Sequence, residues 1–293
     1  MKIIIDEYVE NLKERQSSLN TIASYQRDVL QFSKYFENKN KKIFDLTHED
    51  MQEYVDHLIA DGKSNSTISR CSASIKSLYR YLVNKGLTET NIAENITAPK
   101  VDKKDPMILT SSEIEKLLEQ PDLTDLKGQR DKAMLEILYA TGIRVTELIS
   151  LRLDDINLAN GYIRVKKKNS ERHIPLGNRS LKCLKEYINK VRPLLIRLET
   201  EKTLFVNTNG LKMTRQGYWK ILKQYTDQAK INKEITPHTM RHSFAVHMLQ
   251  TGAEIKTVQE LLGHTDIAST MMYIQMAGVN IINNDTNGKT NIK

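Results

Sequence analysis

His238 and Arg241 stand three residues apart in TPHTMRHSF, a spacing that puts an imidazole and a guanidinium on one face of a helix. An imidazole moves protons near neutral pH and a guanidinium offers a fixed fork of donors, so the two can converge on one phosphate. Thr236 and Pro237 just ahead are good helix openers, the first as a cap and the second as a first-turn residue with no amide hydrogen to leave unpaired. Leu261-Leu262-Gly263 reads as a helix end whose glycine aims His264 into a cleft, and Tyr273 follows nine residues on. A metal is the weaker reading of these histidines, although His238 and His242 are four apart and His247 and His264 follow. No glutamate stands beside the first histidine in the H-E-x-x-H manner, the cysteines are remote, and no Asp/Glu cluster supplies oxygen ligands. His242 and His247 are therefore expected to pack or hydrogen-bond on the opposite side of the helix, with no metal and no cofactor.

The elements that position these residues follow from pattern and punctuation. In GIRVTELISL, Val145, Leu148 and Leu151 support a short helix with Arg144 at its start. Glu147, one turn on, either holds Arg144 in place or is simply a carboxylate favoured by the helix dipole. Tyr162, Ile163 and Val165 alternate, and His173-Ile-Pro-Leu returns, which predicts a β-hairpin with a basic tip containing Lys166, Lys167, Lys168 and Arg172, of which Lys166, Lys168 and Arg172 are candidate phosphate-backbone contacts. A short last helix over 267–273, capped by Thr265 or Asp266, carries Tyr273. Further helices are expected over 180–197, 214–229, 237–249 and 255–262. The first ninety residues read as helices alone, over 4–13, 20–36 and 51–59 and from 66 onward, the third opened by Thr47 and Asp50 as a capping box. On the fourth, Arg70 and Lys76 could face a phosphate backbone; taken singly, each also fits an ordinary solvated charge. The fold class is mainly α with a small β-sheet: an all-α domain over 1–94, a linker over 95–107, an α+β domain over 108–279 and a polar tail over 280–293. The linker holds two prolines and five charged residues and reads as an exposed, extended connection.

Composition narrows the class. The chain has 293 residues, 39% hydrophobic, with a mean hydropathy of −0.49, and no apolar run approaches the roughly 18 residues of a membrane span, so no membrane anchoring is expected. Asp6 and Glu7 interrupt the apolar start and no small-residue cleavage site follows, so export is not expected; two cysteines 112 residues apart suit a reducing cytoplasm. The net charge of +8 is uneven: residues 1–100 hold fourteen basic and fourteen acidic side chains, whereas 161–233 hold eighteen against five. Such a local excess points to a polyanion, because each neutralised phosphate releases counterions.

Taken together, TGIRVTELISL, HTMRHSFAVHMLQTGAEIKTVQELLGH and STMMY resemble the signatures of tyrosine recombinases of the phage integrase family, above all the compact Xer-type members. The resemblance covers both halves of the chain, with motifs spread over about 130 residues. It implies a helical core-binding domain, a linker and a catalytic domain. By it, Arg144 and Arg241 are the arginine pair, His238 and His264 the two histidine positions, and Tyr273 the nucleophile. The family's hairpin lysine falls in G-K-G-x-x-x-R, which puts Lys167 in that place with Lys166 and Lys168 beside it. The implied partner is double-stranded DNA, held in a C-shaped clamp, with a homo- or hetero-tetramer of recombinases on two sites. The segment after Tyr273, with a short apolar patch over 277–282, looks weak for passing a helix to an adjoining protomer.

These residue types suit the implied reaction. A phosphodiester repels nucleophiles and gathers charge in the transition state, and two guanidiniums can meet that charge as a metal does elsewhere. A phenol of pKa about 10 is ionised to the order of one part in a thousand at neutral pH, so it needs a neighbouring acceptor. His238 is the expected base, His264 the donor to the phosphate, and Lys167 the acid for the departing 5′ oxygen. The product is a 3′-phosphotyrosyl bond, and the near-isoenergetic exchange demands neither ATP nor Mg²⁺. Chromosome- or plasmid-dimer resolution is the leading role; integration or resolution of a mobile element, and a non-cleaving DNA-binding protein on the same fold, are the alternatives.

Overall fold

The computed structural model describes residues 2–100, 105–167 and 170–278, with the side chain of Lys167 outside the description. Lys168, linker residues 101–104 and the expected tail over 280–293 lie outside the described residues. The chain divides into two compact units, Met1–Lys104 and Asp105–Lys293.

The first unit is built from four helices, α1 (Lys2–Glu14), α2 (Leu19–Glu37), α3 (His48–Ala60) and α4 (Asn65–Asn84). Hydroxyl caps start the last three: Ser18 accepts from the Thr21 amide, Ser64 from the Thr67 amide, and Thr47 with Asp50 closes a full capping box. Phe32 anchors the core, edge-on to Phe36 at 5.2 Å and to Tyr54 at 5.1 Å. Two expectations change here. The Arg70 guanidinium is committed to the buried Asp28 carboxylate, which also accepts from the Ser74 hydroxyl at 2.8 Å, so Arg70 serves this ion pair before any phosphate. Lys76 stands half-buried on α4. The stretch expected as linker is also not exposed throughout, because Ile96 is buried in this core and the Thr97 amide donates to Gln52.

In the second unit α5 (Ser111–Leu118) opens on a Thr110–Glu113 capping box, and α6 (Leu126–Thr141) runs through the centre. Residues 133–138 of α6 are all buried, so this helix has no solvent stripe along that stretch. A short α7 (Val145–Leu148) leads through a 3₁₀ turn into a three-stranded antiparallel sheet, β1 (Ile156–Asn157), β2 (Tyr162–Lys167) and β3 (Ser170–Pro175), in the order β1-β2-β3. Lys166 pairs with Glu171 and Lys167 with Ser170, so the strands reach further than the expected tip. Lys166, Lys167 and Arg172 are strand residues. The helix expected over 180–197 is broken into α8 (Asn178–Glu186), a π-helical turn over Tyr187–Val191 and α9 (Arg192–Leu195). Then come α10 (Arg215–Gln228), α11 (Pro237–Gln250), α12 (Ile255–Leu262) and α13 (Ala268–Ala277). The second half of α11 packs through Phe244, Val246 and Leu249 on Val258 and Leu262 of α12 and Tyr273 of α13, a small core that seats the tyrosine. Among the described residues no helix is long and apolar enough to cross a membrane.

Candidate active site

Arg144 occupies the position just before α7 with extended backbone, and its amide donates to Glu147 Oε2 at 2.8 Å. Beside this local box the Arg144 side chain is half-buried, with only a 3.4 Å contact from its Nη1 to Glu147 Oε1. The principal partner of Glu147 is a different arginine. Arg172 on β3 places Nη1 3.1 Å and Nη2 2.8 Å from the two carboxylate oxygens, and its Nε donates to the Leu261 carbonyl at 2.9 Å. Burial pushes the Glu147 carboxyl up, but the bonds from Arg172 and the Arg144 amide outweigh it and hold the group below the usual carboxylate range. Arg172, expected as a DNA contact, is therefore a clamp that ties the hairpin to α7 and to the end of α12. Lys166 likewise ion-pairs with Asp155 at 2.8 Å.

Arg241, 4% exposed, donates from Nη1 to the Gly142 carbonyl at 2.6 Å and from Nη2 to the Leu262 carbonyl at 2.7 Å. Gly142 reaches that place only as glycine, because its φ is +57° and a Cβ there would meet the Phe244 ring at 2.2 Å. Burial, then repulsion from Arg144, lowers the Arg241 pKa to about 10, which leaves it fully charged at neutral pH. Among the described residues no carboxylate forms an ion pair with it. Carbonyl dipoles hold a buried cation beside a second arginine, and among the described residues the carboxylate that acts on it, Glu147, is bonded to Arg172.

His264 follows Gly263, which ends α12 with φ +65°. Its Nε2 lies 2.9 Å from Arg241 Nη2 and its Nδ1 2.8 Å from the Thr270 hydroxyl. A guanidinium cannot accept, so Nε2 is the acceptor of that contact and the ring proton sits on Nδ1. In this arrangement His264 steadies Arg241, whereas the expectation had it donating to a phosphate. Tyr273, 2% exposed, lies with its ring tilted 20° to that of His264 at 6.4 Å. Burial raises its pKa, and the charges of Arg241 and Arg144 oppose the rise.

The Tyr273 hydroxyl is met by His242, whose Nδ1 stands 2.8 Å away, and not by His238. His242 was expected on the far side of α11; residues four apart lie only about 40° apart around a helix, so it shares the face of His238. That i, i+4 spacing was the signal in the sequence. His247 does play the packing part expected of it, with its Nδ1 2.9 Å from the Tyr139 hydroxyl. His238 opens α11 beside Arg215 and lines a cleft of about 590 Å³ with Val145, Trp219 and Thr236. Trp219 is 46% exposed there. A second cleft of about 580 Å³ lies between β3 and α12, lined by Arg172, His173, Glu260 and His264. Lys167 sits at the end of β2, paired with Ser170. Among the described residues no three His, Cys, Asp or Glu side chains converge as a metal site requires.

The imidazoles of His238, His242 and His247 all titrate below their ordinary range, each through burial first, and His242 falls to about 4. In the unfolded chain they take protons near pH 6.5, so below that pH the unfolded state binds more protons than the folded one. Stability therefore rises with pH through this window and is lost as pH falls. Thermal melts should show Tm dropping steadily from pH 7 to 5, with a shallower slope for His242→Asn; a Tm independent of pH over that range contradicts the assignment.

Residues 107–278 match the phage integrase family and residues 5–86 the phage integrase N-terminal SAM-like domain. The chain belongs to the phage integrase family. It is 43% identical over 280 residues to the tyrosine recombinase XerD of Staphylococcus epidermidis, covering 94% of this chain and 95% of that one. To the XerD of Staphylococcus haemolyticus it is 42% identical over 284 residues, 96% of either chain. The crystal structure of the XerH site-specific recombinase bound to palindromic difH substrate, in a post-cleavage complex, superposes with a TM-score of 0.75 at 23% identity, over 92% of this chain and 81% of that one, a likeness of fold.

Proposed function

We propose that this chain is a Xer-type site-specific DNA recombinase that cuts and rejoins duplex DNA through a 3′-phosphotyrosyl intermediate, resolving chromosome or plasmid dimers in the cytoplasm as part of a tetramer on two sites. The observation that carries the reading is the buried Arg241, charged and without a carboxylate partner among the described residues, beside Arg144 and on the side of α11 where Tyr273 is seated. Such a site is electrostatically incomplete until an anion enters. A phosphodiester completes it, and the pentacovalent transition state, with more charge on its oxygens, completes it better.

In this reading the two guanidiniums hold the non-bridging oxygens and Tyr273 Oη attacks phosphorus. The P–O5′ bond breaks, and Lys167, brought by β2, protonates the departing oxygen. His238 stands on the phosphate side, where burial and then Arg215 and Arg241 keep it neutral and able to accept a proton. Rejoining reverses each step with the hydroxyl of another strand. Charge neutralisation by arginine makes the cleavage independent of added divalent ions.

The test uses nicked duplexes selected from a random pool by their binding to the protein. Incubated in EDTA and run on a denaturing gel, they should yield a protein band covalently linked to DNA. Tight binding without that band on any selected site would make the chain a non-cleaving DNA-binding protein. Lys167→Ala should slow cleavage by about 10²- to 10³-fold on ordinary DNA and recover to within about tenfold on a 5′-bridging phosphorothiolate, whose sulfur leaves without a proton. Selective rescue of Lys166→Ala instead would move the acid to the neighbouring residue.

A further inference from the structure

His242 belongs to none of the roles assigned above, yet it makes the closest polar contact recorded for the nucleophile. Its Nδ1 lies 2.8 Å from Tyr273 Oη, and the two rings are 5.6 Å apart between centroids. The phenol is enclosed, with His264 nearly parallel on another side at 6.4 Å and Thr270 of the same helix bonded to that histidine. A buried hydroxyl must give its hydrogen to something. On α11, the helix that also carries Arg241, His242 offers such an acceptor in the tautomer whose proton sits on Nε2.

We propose that His242 is a further catalytic residue, a neutral hydrogen-bond acceptor that fixes the direction of the Tyr273 hydroxyl and so aims an oxygen lone pair at the phosphate held by Arg144 and Arg241. The role rests on the recombinase reading above and deepens it. Two independent features support it. The ring of a tyrosine fixes the line of its C–O bond but leaves the hydroxyl hydrogen free to rotate. An acceptor on one side sends that hydrogen there and leaves the lone pairs elsewhere. Second, the acceptor must stay neutral, since a protonated imidazole would turn a donor toward the phenol. Burial, then the nearby His238 and Arg241, lower the His242 pKa to about 4, which keeps it neutral under all ordinary conditions. The same low basicity separates its work from that of the base: His242 accepts the hydrogen bond before attack, and as the bond from Oη to phosphorus forms, the proton leaves to His238, which stands one turn earlier on the same helix.

Placing the acceptor and the phosphate-holding guanidinium at consecutive positions of α11 couples them rigidly. A shift of the nucleophile by an ångström is worth about 10²-fold in rate, so losing the acceptor should be felt in the chemical step. The experiment is single-turnover cleavage of the selected nicked duplex by the full-length protein, alongside DNA affinity and Tm for each variant. His242→Ala should lower the cleavage rate by about 10- to 100-fold with affinity unchanged within about twofold. His242→Asn, whose Oδ1 falls near the place of Nδ1 but cannot take a proton, should recover most of that loss. Wild-type rate in the alanine variant overturns the role. Failure of asparagine to the level of alanine at equal Tm overturns it too, by making His242 a proton acceptor. Absence of any adduct from the wild-type protein is a different result and falls on the recombinase reading.

Discussion

Arg241→Ala should lower the single-turnover cleavage rate of a nicked duplex by about 10³-fold while DNA affinity changes by less than about tenfold. The size follows from the preorganisation of this guanidinium. It is held by the carbonyls of Gly142 and Leu262 and by His264, which fix its orientation without consuming its charge. A residue built this way stabilises charge that develops in the transition state more than charge already present in bound DNA. Alanine also frees two buried carbonyls, so the variant's Tm belongs beside its rate. Arg241→Lys separates the effects: it keeps a cation but loses the fork, and should still fall by about 10²-fold. Equal losses of affinity and rate would reduce Arg241 to a DNA-docking residue.

Tyr273→Phe, the second large effect, removes one oxygen and should eliminate the covalent band and strand exchange to below detection. The ring stays in the cluster formed by Phe244, Leu249, Val258 and Leu262, so Tm and DNA affinity should remain close to wild type. What the variant loses is the bond to His242 and the atom that attacks phosphorus. Its recombination of plasmids at even a tenth of the normal rate is incompatible with the account.

Helix starts were the most legible part of this chain, because a cap is a local device. Thr47 with Asp50 and Thr110 with Glu113 close the reciprocal boxes their spacing announces, and Thr236-Pro237 begins α11 at the expected residue. Gly142 and Gly263, both at positive φ, end helices where the pattern stops. The resemblance named the set Arg144, His238, Arg241, His264 and Tyr273, and the fold brings them into one region through α7, α11, the turn after α12, and α13. The misreadings share a cause, which is that a charge has a partner only in three dimensions. Arg172 meets Glu147 across 25 residues, and Arg70 meets Asp28 across 42. Neither pairing leaves a trace in spacing. The two-residue β1 has no period to read. His242 was different, since its i, i+4 relation to His238 already placed it on the working face. Its bond to a tyrosine 31 residues away is what the fold adds.

The most direct measurement is the mass of the covalent adduct. The protein is trapped on a selected nicked duplex in EDTA, digested with protease and nuclease, and the nucleotide-bearing peptide is sequenced by tandem mass spectrometry. The account predicts a single modified residue, Tyr273, linked to a 3′-phosphate of the cut strand. A nucleotide on a serine, a histidine or another tyrosine, or a 5′-phosphate linkage, contradicts it.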